Sequence, residues 1–101
     1  MAKKKRTNGE AEIIEGGEIE HHLSPDFHSV YANSARVRTS FYDFSIVFGE
    51  ISAVDDKLER EERVQVVMSP QHAKALLKVI EKNVAAWEER FGAIELPEGL
   101  V

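Results

Sequence analysis

Cysteine is absent from this 101-residue chain, proline occurs three times and tryptophan once. Without cysteine there is no disulfide framework and no thiolate zinc site. With so few prolines, long stretches are free of the residue that interrupts helices and inner strands. No run approaches the ~18 consecutive apolar residues of a membrane-crossing helix. Positive charge is also scarce: 13 Lys and Arg stand against 18 Asp and Glu, a net charge of −5 with neutral histidines. A freely basic nucleic-acid binder has the opposite balance. The basic start, Lys3-Lys4-Lys5-Arg6, runs into Thr7-Asn8-Gly9-Glu10 instead of an apolar segment, so it does not read as an export signal. The expectation is a cytoplasmic protein with no membrane association.

The chain is 43% hydrophobic and 31% charged, which fits one globular domain and is too short for two. Residues 1–26 differ from the remainder. They carry four basic and six acidic groups with few apolar ones, glycines at 9, 16 and 17, and Pro25. Such a segment buries too little to offset its ordering entropy, so it reads as a disordered charged tail. Residues 27–101 read as a single α+β domain.

Within that domain, Ser29 to Arg38 reads as a strand, with Val30, Tyr31, Ala35 and Val37 as its apolar points. Thr39-Ser40 follows as a short turn. Phe41 to Ile51 is the clearest strand: Tyr42, Phe44, Ile46 and Phe48 alternate with Asp43, Ser45, Val47 and Gly49. Ser52 to Glu61, with Asp55-Asp56-Lys57, reads as a polar loop. Arg63 to Met68 alternates again through Val64, Val66 and Met68. The short connections predict an antiparallel meander. Ser69 then offers an N-cap, Pro70 suits the first helical position, and Gly92 suits a C-terminal stop. A helix of about 22 residues is expected, roughly 33 Å long at 1.5 Å per residue. The fold class is therefore α+β: about three antiparallel strands and one long C-terminal helix in two layers. Phe44, Ile46, Phe48, Val64, Val66, Leu77 and Ile80 are expected between sheet and helix.

Four blocks in order, Tyr31-Ala32-Asn33, Phe44-Ser45-Ile46-Val47-Phe48-Gly49-Glu50-Ile51, Met68-Ser69-Pro70-Gln71-His72-Ala73-Lys74 and Trp87-Glu88-Glu89-Arg90-Phe91-Gly92-Ala93-Ile94, carry a resemblance. Over residues 29–94 the chain resembles the domain-of-unknown-function 3467 family. The resemblance implies a single-domain bacterial protein. It implies no activity, and no catalytic or binding residue is carried over.

Candidate chemistry is sparse. His21, His22, His28 and His72 are the only histidines, and no H-E-x-x-H spacing joins them, so no metal or other cofactor is expected. No nucleophile elbow, phosphate loop or dinucleotide fingerprint is present. Asp55-Asp56 and Glu61-Glu62 read as solvated loop carboxylates, and the N-terminal turn at Ser69 reads as a cap. The protein is expected not to be an enzyme.

The helix speaks to partners. Ala73, Leu77, Ile80, Val84, Trp87 and Phe91 recur at a 4-3-4-3-4 spacing, an a/d seam of almost three heptads. Leu76, Val79 and Ala86 lie further round. Lys74 and Lys78 occupy the N-terminal half, and Glu88 and Glu89 the C-terminal end, each at the end that the helix dipole disfavours. An antiparallel partner helix would set these charges beside their opposites. The leading expectation is a homodimeric, non-enzymatic interaction or scaffold protein, with room for a further protein partner. The alternative is a dimeric single-stranded nucleic-acid-binding protein contacting bases through Tyr31, Arg36, Arg38 and Tyr42. In outline it resembles sheet-based regulators of the transcription-coactivator and plant Whirly kind, where aromatic stacking and Arg contacts hold bases. Net charge disfavours it: residues 27–101 alone carry nine basic and twelve acidic groups.

Overall fold

A computed structural model describes residues 19–98. Most of the charged N-terminal segment, including Ile13-Ile14, lies outside the described residues. Residues 19–26 are exposed and without regular structure, apart from a turn at Pro25-Asp26. That turn is closed by Phe27 N–H donating to the Ser24 carbonyl at 2.9 Å. The chain divides into two compact units: His21–Ala73, which holds the sheet, and the stretch from Lys74 onward, which holds most of the helix.

Three strands, β1 (Ser34–Thr39), β2 (Phe44–Val54) and β3 (Lys57–Met68), form one antiparallel sheet in the order β1-β2-β3, and helix α1 (Pro70–Phe91) follows. The α+β class and the meander are as the alternation predicts. The strand limits differ in three places, each for a local reason.

β1 begins at Ser34, five residues later than its apolar points suggest. Just before it, Asn33 acts as a substitute strand residue. Its side-chain NH2 donates to the Ile51 carbonyl at 3.2 Å, and its Oδ1 accepts from Ile51 N–H at 2.8 Å. β2 begins at Phe44 because Ser40 organises a turn: its hydroxyl accepts from the N–H groups of Tyr42 and Asp43, each at 3.1 Å. Tyr42 thus leaves the alternating face on which the sequence places it and is 80% exposed.

The third difference is the largest. Ser52 to Glu61 is not a loop. β2 and β3 continue pairing to Val54↔Lys57, joined by Asp55-Asp56 alone. Both aspartates have positive φ, 50° and 64°. A two-residue hairpin turn with both centres left-handed matches the right-handed twist of its strands, and Asp tolerates that conformation better than most residues.

Register decides the faces. Ala35, Val37, Phe44, Ile46, Phe48, Val64, Val66 and Met68 share one side; Arg36, Arg38, Ser45, Val47 and Gln65 share the other. Between Phe48↔Val64 and Gly49↔Glu62 the register slips, leaving Arg63 as an extra residue in a bulge. Gly49 is needed there, since a Cβ on it would lie 2.5 Å from the Glu61 carbonyl oxygen.

The expected core is only partly present. Among the described residues Val47 is the one buried hydrophobic side chain, and it lies on the mixed face of the central strand. Phe44, Ile46, Phe48 and Val64 are half-buried, and Val66 is exposed. Leu77 and Ile80, expected inside, are exposed as well.

Candidate functional site

The helix is capped as its sequence predicts. Ser69 Oγ accepts from His72 N–H at 3.1 Å, and the Ser69 carbonyl accepts from Ala73 N–H at 3.0 Å. At the other end Gly92 takes φ 105° and donates its N–H to the Glu88 carbonyl at 2.8 Å. The chain then folds back, and Ile94 N–H donates to Glu88 Oε2 at 2.9 Å.

Two stripes run along this helix. Ala75, Leu76, Val79 and Asn83 are half-buried. About a quarter-turn round, at 3.6 residues per turn, lies the predicted seam. Ala73 at its start is half-buried; Leu77, Ile80, Val84, Trp87 and Phe91 are all exposed, by 39% to 63%. The Trp87 and Phe91 rings are 5.0 Å apart and tilted. Ile94, brought back by the turn at Gly92, joins Val79, Ile80, Asn83, Val84 and Trp87 around an open groove of about 420 Å³. Its one polar member, Asn83, has its NH2 donating to the Val79 carbonyl at 2.9 Å within its own helix. The groove therefore offers almost pure apolar surface.

The second candidate is the mixed face of the sheet. Arg36 and Arg38 share it, as alternation requires. Arg36, however, reaches across β2 to Glu62 on β3. Its Nε donates at 3.1 Å to Oε2, and its other guanidinium nitrogen donates at 2.8 Å to Oε1 and at 2.6 Å to Oε2. Arg63 donates to Glu50 at 2.7 Å and to Glu61 at 3.1 Å. Arg38 forms no ion pair with a described residue, and with Arg36, Val47 and Glu62 it borders a shallow concavity of about 280 Å³. Tyr31 and Tyr42 lie beyond opposite ends of β1, in no strand. The four residues of the predicted nucleic-acid platform are therefore not assembled into one stacking surface.

Sequence reasoning missed the carboxylates that occupy these arginines. Glu61 and Glu62 look like loop residues until the hairpin register puts them on β3. It also missed Ile94 as part of the groove; Gly92, a helix stop, was the available signal that the chain turns back.

The histidines are not gathered. His28 Nδ1 donates to the Asp26 carbonyl at 2.7 Å, and His72 belongs to the helix. Asp26 is held below the ordinary aspartate range, first by the Ser24 hydroxyl donating to its carboxylate and then by its own backbone N–H. Among the described residues no three His, Asp or Glu side chains converge as metal ligands, and no helix is long and apolar enough to cross a membrane.

Among known proteins, a family model described as protein of unknown function (DUF3467) matches residues 1–96. No curated protein and no solved structure matches the chain.

Proposed function

We propose that this chain, which belongs to the DUF3467 family, is a small non-enzymatic interaction module that works as a homo-oligomer. One observation carries the reading. A single hydrophobic side chain is buried among the described residues, while five large apolar residues of one helical stripe stand exposed. Small domains rarely hold together on so little buried apolar surface and commonly complete their cores by association. Surface hydrophobics scattered singly need no explanation, but a contiguous stripe at heptad spacing does.

The nucleic-acid alternative has less support. Arg36 and Arg63, two of the four arginines on the sheet strands, are already engaged by carboxylates, and on the face that Arg36 shares with Arg38 only Arg38 keeps no ion pair with a described residue. Base stacking needs aromatics on a common surface, and Tyr31 and Tyr42 are separated. Retention of a single-stranded oligonucleotide that weakens steeply with salt would reverse this preference.

Sedimentation tests the leading reading. The wild type is expected to be oligomeric at tens of micromolar. Trp87→Ala is expected to raise the dissociation constant by at least about thirtyfold, an effect of ~2 kcal/mol, as interface tryptophans often do. A strictly monomeric wild type would refute the proposal. A variant that unfolds at lower temperature without losing mass would put Trp87 inside its own chain.

A further inference from the structure

Resting on the homo-oligomer reading, we infer that the partner is a second copy of this chain and that the two copies pair their α1 helices antiparallel, about a two-fold axis near residue 82. The seam is graded in size, from Ala73 at its start to Trp87 and Phe91 at its end. With that axis, Ile80 meets the partner's Val84, Leu77 meets the partner's Trp87, and Ala73 meets the partner's Phe91. Small opposes large at both ends, as close packing requires. A parallel pairing would set Trp87 on Trp87 and Ala73 on Ala73, crowding one layer and leaving another empty.

Charge selects the same direction. Lys74, Glu81 and Glu88 follow one flank of the seam at seven-residue intervals. Antiparallel pairing places Lys74 within about 3 Å, along the axis, of the partner's Glu88 at both ends of the interface. It sets Glu81 against the partner's Glu81, and Lys78, one turn earlier on that flank, offsets the repulsion. Lys74 and Glu88 each oppose the dipole of their own helix, so pairing with each other relieves a cost present in the single chain. The bond from Ile94 N–H occupies Glu88 Oε2 and leaves Oε1 to receive the partner's lysine. Ile94 and Trp87 then form the walls of the groove, and the partner's Leu77 and Ile80 lie at the level that fills it.

The absence of native cysteine makes the orientation directly measurable. Lys74→Cys and Glu88→Cys chains are unfolded together, refolded and treated with a short bis-maleimide. The mixture is expected to give a covalent dimer, and each chain alone is not, because with the axis near residue 82 the two copies of position 74 lie about 24 Å apart, and those of position 88 about 18 Å apart, along the axis at 1.5 Å per residue. Glu81→Cys, at an exposed position, is expected to cross-link with itself. If Glu88→Cys fails to fold, Glu81→Cys cross-linking together with the failure of Lys74→Cys to cross-link with itself gives the same answer, since a parallel pair would join both. An oligomeric wild type that cross-links in neither experiment overturns the helix pairing and leaves the homo-oligomer reading standing. A monomeric wild type overturns both.

Discussion

Gly49, Asn33 and the Arg36–Glu62 pair show what single residues do in this sheet. At the bulge the β3 backbone comes so close to Gly49 that even a methyl group meets the Glu61 carbonyl oxygen at 2.5 Å. Backbone, unlike a side-chain tip, cannot step aside without breaking ladder bonds. Gly49→Ala is therefore expected to cost about 1–3 kcal/mol, the usual range for overpacking, read as a lower denaturant midpoint with an unchanged slope. A neutral outcome would mean the bulge is not held in this geometry. Asn33 extends the ladder with a side chain where the backbone has left the strand. Arg36 exchanges solvent for a forked contact with Glu62, but both side chains remain about 40% exposed, so its contribution to stability is small. Its consequence is functional: it removes a cation from the candidate nucleic-acid surface. None of the three roles is legible in sequence, because each depends on which residue of another strand lies opposite.

Elements divide into those whose ends are marked locally and those whose ends depend on pairing. The helix belongs to the first kind. Ser69, Pro70 and Gly92 announce Pro70–Phe91 in sequence, because caps satisfy backbone groups within a few residues of the chain. The β2–β3 hairpin belongs to the second. Its outer half, with Glu59, Arg60 and Glu61, looks like a loop because both faces are wet. Only partner strands make its polar residues a ribbon. The turn also lacks the glycine that such a hairpin favours. Asp56→Gly, at φ 64°, is expected to raise stability by up to ~1 kcal/mol, since glycine has no left-handed penalty. Thermal unfolding of the variant measures it. A lower melting temperature would show that the Asp56 side chain contributes more to the turn than its backbone strain costs.

For the whole molecule, stability and association are expected to be one property. If a second copy completes the core, the melting temperature rises with protein concentration, by mass action. Scanning from about one to a hundred micromolar reads this, and a constant value would favour a core contained in one chain. Sequence by itself determined the α+β class, the antiparallel meander, the helix with both its ends, and the apolar seam from Ala73 to Phe91. These follow from periodicity, capping and short connections, which are written in neighbouring residues. The four quoted sequence blocks were also enough to indicate the family. The tertiary structure alone decided the hairpin that replaced a loop, the slip at Gly49, the carboxylates that hold Arg36 and Arg63, and the exposure of the seam. Each of these depends on residues distant in sequence. Alternation identifies a face as apolar, but whether anything covers that face depends on what the folded chain brings against it.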